Sequence, residues 1–121
     1  MEIYNTFKIA HDYVVMIITE ECKKLNIPDS QVCIMNSGDR TSITVCGTKI
    51  LEVALYPPSH LIDDYDDYPR TLEISVFLRG KTHEVNLIEG LDPLLPEIRN
   101  RLEQLKQIGI GSCPRFVLPH Y

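Results

Sequence analysis

Between residues 31 and 88, apolar and polar residues alternate in five short runs. Val32 and Ile34, then Ile43 and Val45, then Leu51, Val53 and Leu55, then Leu72, Ile74, Val76 and Leu78, then Val85 and Leu87 each fall two apart. Successive side chains of a strand point to opposite faces, so the pattern predicts five strands of a sheet covered on one side. Gly38-Asp39, Gly47-Thr48 and Gly80-Lys81 separate the runs, and each places glycine where a hairpin turn needs positive φ. The exception is the 15-residue connection from Pro57 to Thr71, PPSHLIDDYDDYPRT, which is long for a compact domain, and long ordered loops are often functional ones.

A different period flanks the sheet. From Tyr4 to Leu25, Phe7, Ala10, Val14, Ile17, Ile18, Cys22 and Leu25 recur at three and four residues, the spacing of one helix face. Pro28 ends that segment. Val14 to Ile18 is apolar all round, so Val15 and Met16 lie off the stripe, and the helix asks for a second covering surface. A homo-oligomer formed through the first helix would supply it. Near the other end, Asp92 is placed to cap a helix that Pro93 opens. Leu94, Leu95, Ile98, Leu102 and Leu105 form its stripe, Glu97 precedes Arg101 by four, Pro96 fits if it stays in the first turn, and Gly109 closes the segment. The apolar triplet Phe116-Val117-Leu118 in the tail from Ser112 is expected to pack back on the body. The predicted fold is α+β: a two-layer sandwich of an N-terminal helix, a five-stranded antiparallel meander, a C-terminal helix and a short tail. Residues 1–121 form a single globular domain.

With 44% hydrophobic and 24% charged residues the chain has the balance of a globular protein. A net charge of −5 with no basic block in the sequence argues against nucleic acid as a partner. The longest apolar run, Tyr13 to Ile18, is far shorter than the roughly 20 residues a membrane helix needs. No signal peptide is legible, since Lys8 and Asp12 interrupt the apolar stretch. The expected location is cytoplasmic. The cysteines, Cys22, Cys33, Cys46 and Cys113, show no close pairing and read as reduced thiols. Cys22 on the helix and Cys33 and Cys46 in strands read as small buried hydrophobes.

The sharpest local chemistry is Asp63-Asp64-Tyr65-Asp66-Asp67-Tyr68, four carboxylates and two phenols in the long loop. It reads either as a solvated connection or as an acidic, aromatic contact surface for a basic protein partner, because tyrosine anchors interfaces and opposite charge speeds encounter. These six residues are the expected partner-binding site. Their spacing lacks the order of an EF-hand loop. His11, His60, His83, His120 and the cysteines show no metal-ligand spacing, so no metal is expected. Cys113 with His120 pairs a thiol with a base, yet no nucleophile elbow accompanies them, and no catalytic residue is assigned. The six glycines form no phosphate loop, so no cofactor is expected.

The helix, the meander, Tyr56-Pro57-Pro58 and Tyr68-Pro69 before another strand and helix are similar to ubiquitin-conjugating-enzyme-like and RWD domains. The chain has no cysteine between Cys46 and Cys113, where a conjugating enzyme would hold its nucleophile, so the resemblance implies a non-catalytic interaction domain. The sequence points to a small intracellular binding protein, an inhibitor, adaptor or assembly subunit, acting through protein–protein contacts. The alternative is a small enzyme or ligand-binding protein whose pocket lies on the open sheet face, lined by Ser42, Thr44, Glu52, Glu73, Ser75, Glu84 and Asn86.

Overall fold

The computed structural model describes residues 2–56 and 70–109. The long helix α1 (Glu2–Lys24) is followed by a 3-10 turn at Asp29–Gln31 and the strands β1 (Val32–Asn36), β2 (Arg40–Val45), β3 (Thr48–Tyr56), β4 (Thr71–Leu78) and β5 (Lys81–Val85). A second 3-10 turn, Asp92–Leu94, leads into α2 (Leu95–Gly109). The strands lie in the sheet in sequence order, each antiparallel to its neighbour. The α+β meander read from the alternation is the fold observed.

Register explains which side is buried. Ile34, Ile43, Leu51, Val76 and His83 stand opposite one another across the five strands, and Asn36, Thr41, Val53, Ile74 and Val85 form the next row. Onto this face pack Phe7, Ala10, Val14, Ile18 and Cys22 of α1 with Ile98, Leu102 and Leu105 of α2, in one core. Val45, Val53, Leu55, Ile74 and Val76 are all buried, as the alternation requires. Leu87, expected to complete that face, lies beyond the end of β5 and is only partly buried.

β3 departs from simple alternation. Its pairing to β2 steps from Ile43↔Leu51 to Thr44↔Lys49, so Ile50 has no partner. Such a bulge breaks the period of two, and consecutive Ile50 and Leu51 both enter the core. Alternation counted from Leu51 assigns Ile50 to solvent, which is why the sequence pattern missed it.

The turns also differ in detail. The β2–β3 turn centres on Cys46-Gly47, at φ 50° and 80°, one residue before the expected Gly47-Thr48. Both central residues of a type I′ turn need positive φ, and glycine supplies only one of them. Cys46 therefore sits in a turn and not in a strand, although it is buried. Cys33, expected to be buried, is exposed because it points to the open side of an edge strand. The end of α1 is set by Asn26 at φ 60°, with Ile27 N–H donating to Cys22 O and Asn26 N–H to Lys23 O, a left-handed cap for which asparagine substitutes for glycine.

Asp92 does not cap α2. The residue ahead of the 3-10 turn is Leu91 and no side chain caps it; instead Leu91 N–H donates to Tyr13 Oη at 2.9 Å, which ties the approach of α2 to the middle of α1. Pro96 falls in the first turn of α2, where its missing N–H has no intrahelical partner to lose.

Candidate functional site

One end of the sheet gathers positive charge that the linear sequence disperses. Thr48 and Lys49 open β3, Arg79 and Gly80 form the β4–β5 turn, Lys81 and Thr82 open β5, and α2 brings Arg101 to the same place. Together with Phe77 and Leu78 they line a shallow cavity of about 240 Å³. A second groove shares Leu78, Arg79 and Arg101 and adds Glu97, Asn100 and Gln104 from α2.

The four cations are not equivalent. Lys49 Nζ lies 3.2 Å from Glu52 Oε2 and 5.3 Å from the centre of the Phe77 ring. Arg40 Nη1 reaches the same Glu52 oxygen at 3.0 Å and lies over Tyr56. Glu52 is thus a buried carboxylate on the open face of the sheet, neutralised by two cations, which is how a carboxylate survives there. Arg79, Lys81 and Arg101 make no ion pair among the described residues. Arg101 Nη1 donates to Gln104 Oε1 at 3.3 Å, while its Nε is buried without a hydrogen-bond partner. Buried N–H groups are rarely left so.

The rest of the open face mixes polar residues with Cys33, Met35 and Ala54. Met35, Ser42, Glu52, Ser75 and Glu84 stand in one row across all five strands, and Thr44 and Glu73 share their face, as the alternation predicts. Asn86 joins Glu73 and Glu84 in lining a shallow pocket at the β4–β5 edge. It lies past β5, where its Oδ1 accepts from Glu89 N–H.

On the helix side, Glu21 is buried and its two carboxylate oxygens accept from Arg99 Nε at 2.8 Å and Nη2 at 3.2 Å. That hydrogen bonding outweighs the cost of burial and holds the Glu21 carboxyl below its ordinary value. A lowered folded-state pKa gives stability that is present above the unfolded value and lost as pH falls through the folded one. Denaturant midpoints of the parent and Glu21→Gln should therefore differ at pH 7, with the parent more stable, and converge as pH falls from the ordinary Glu value of about 4.3 through the lowered folded one. A gap that stays constant with pH would show that the pair contributes no charge-dependent stability. Nearby, burial first, then Cys46 and Glu21, push the Cys22 thiol up to about 11, so it stays protonated and packs as a hydrophobe. His11 Nδ1 lies 2.8 Å from the hydroxyl of Thr41, which is fully buried, and this bond satisfies a core polar group.

Asp63, Asp64, Tyr65, Asp66, Asp67 and Tyr68 lie outside the described residues, as do His60, Cys113, His120 and the tail from Ser112. Among the described residues no three His, Cys, Asp or Glu side chains converge as a metal would need, and no helix is long and apolar enough to cross a membrane. The cationic end was invisible in the sequence because positions 49, 79, 81 and 101 meet only through the meander and the return of α2. A clue was present in Arg79-Gly80-Lys81, two cations flanking a turn glycine. No family model, no curated protein and no solved structure matches the chain, so the similarity to ubiquitin-conjugating-enzyme-like and RWD domains rests on the dipeptides and element order alone.

Proposed function

We propose that this chain is a cytoplasmic, non-catalytic binding protein, an inhibitor, adaptor or assembly subunit, that works through protein–protein contacts. The observation that carries this reading is the β1 edge. Ser37 N–H donates to Arg40 O, and Cys46 N–H to Gln31 O, so the odd residues from 31 to 37 face β2. By the alternation of an antiparallel pair, the N–H and C=O groups of Ile34 and Asn36 and the C=O of Val32 point away from the sheet, while Val32 N–H donates to Asp29 O. Proteins usually guard such edges with charge or proline. The other edge, β5, carries Lys81, His83 and Glu84, whereas β1 reads Val-Cys-Ile-Met-Asn, with Ile34 and Met35 exposed. Between β1 and α1 runs a groove of about 270 Å³ lined by Thr19, Cys22, Val32 and Ile34 among others. An extended segment of a partner adding to this edge would gain backbone hydrogen bonds and seat alternate side chains in the groove.

Two further contacts belong to the proposal. The segment Asp63 to Tyr68 would contribute encounter rate through its carboxylates and residence time through its tyrosines. Ile9 and Met16, exposed and seven residues apart on α1, would serve self-association. The test is capture from the native cell by the parent and by Ile34→Lys/Met35→Lys. The double variant should keep the parent's melting temperature within a few degrees, because both side chains are exposed at the edge, and should lose at least tenfold of the captured species. Equal capture by a folded variant would overturn the edge reading. Changing the four aspartates to asparagine tests the acidic segment in the same way, and a solution mass of 13.9 kDa at high concentration would reject self-association.

A further inference from the structure

We infer that the cationic end of the sheet is a binding site for a small phosphate ester, independent of the β1 edge and at the opposite side of the meander. Four of the chain's 12 Lys and Arg residues line one cavity in a protein of net charge −5. Counted with its neighbours, the region holds Lys49, Arg40, Arg79, Lys81 and Arg101 against Glu52 and Glu97, an excess of three positive charges. Two of those cations are spent on Glu52, so the charge available to a ligand comes from Arg79, Lys81 and Arg101. Like charges gathered without a counter-charge repel one another, and folding alone offers no reason to collect them.

The donor chemistry narrows the ligand. Guanidinium forks, ammonium groups and the hydroxyls of Thr48 and Thr82 offer many donors, and the buried, unpartnered Nε of Arg101 is a donor lacking an acceptor. The complement is a group that only accepts and carries more than one negative charge. A phosphate monoester has three acceptor oxygens and close to two charges at neutral pH, where a carboxylate has one. A cavity of this size holds a phosphate and a few more atoms, not an extended acidic segment. The adjoining groove, with Glu97, Asn100 and Gln104, then faces the remainder of the ligand. Those carboxylate and amide groups suit hydroxyls rather than an acyl chain or an aromatic ring. The class that fits both parts is a phosphorylated polyol or sugar.

Amide chemical-shift titration of the full chain tests this with three probes: inorganic phosphate, a hexose 6-phosphate and hexaglutamate. Phosphate should give saturable shifts centred on residues 48, 49 and 79 to 82, and Arg79→Gln/Arg101→Gln should weaken it at least tenfold. Hexose 6-phosphate should bind several-fold tighter than phosphate, an advantage that Asn100→Ala removes while leaving phosphate binding unchanged. Shifts spread equally over Lys8, Lys23, Lys24 and Lys106 would mean unspecific charge and overturn the site. Tighter binding of hexaglutamate would overturn the ligand class in favour of an acidic protein segment, and a hexose phosphate no tighter than phosphate would remove the polyol. Arg79 and Asn100 are exposed and Arg101 is half-buried, and an unchanged melting temperature of each variant checks that the fold is intact.

Discussion

Val53→Asp should abolish the folded state. Val53 is fully buried in the middle strand, between Thr41 on β2 and Ile74 on β4, on the face that α1 covers. The substitution removes an apolar burial of roughly 1.5–3 kcal/mol and introduces a carboxylate among the buried apolar side chains of the core. An unpaired buried charge adds several kcal/mol more, and the sum is comparable to the ~5–15 kcal/mol by which a domain is stable. Circular dichroism at 25 °C should show no cooperative melt. Thr44→Asp is the control: Thr44 lies on the open face opposite Lys49, so that variant should stay within ~1 kcal/mol of the parent. A Val53→Asp protein that melts like the parent would mean that the register is wrong.

The second large effect is expected at Gly90→Ala. Gly90 has φ +68°, and a Cβ there would meet Tyr13 Oη at 2.7 Å. Positive φ alone costs alanine about 1–2 kcal/mol. Tyr13 cannot swing aside without releasing the Leu91 N–H that it accepts, which adds ~1 kcal/mol. The variant should lose about 2–3 kcal/mol, a fall in Tm of roughly 10 °C or more. Tyr13→Phe should cost ~1 kcal/mol in the parent and much less in the Gly90→Ala background, because the methyl group then meets only ring carbons, at 3.4 and 3.9 Å. Strict additivity in that double-mutant cycle would show that the hydroxyl is not the obstacle.

What was legible in the sequence was local. Alternation identified the strands and the buried face because a period of two admits one register when one side is apolar. The helices were legible by their three-and-four spacing. What escaped depends on partners distant in sequence. Ile50 joins the core because of a mismatch between β2 and β3, and Thr41 is acceptable there because His11 reaches it from α1. Tyr13, which reads as one more apolar position, holds the approach to α2 by its hydroxyl. The charge cluster escaped for the same reason, since Lys49 and Arg101 are neighbours only after the sheet and α2 have formed. The acidic run at 63–68 stands out for the opposite reason, since its members are adjacent and need no fold to be seen together.

The meander also orders events in time. Each strand pairs with the one made just before it, so all ladder contacts except those of β3 with β4 form over short turns, a topology associated with fast folding. The first helix is the exception, for its apolar stripe rests chiefly on β3 and β4. Between Lys24 and Leu78 a ribosome adds 54 residues, which at ~5–20 residues per second takes roughly 3 to 11 s. For that interval Phe7, Val14 and Ile18 have no sheet to cover them. The nascent chain should be a client of chaperones that hold apolar helices, and their grip should loosen once β4 clears the exit tunnel.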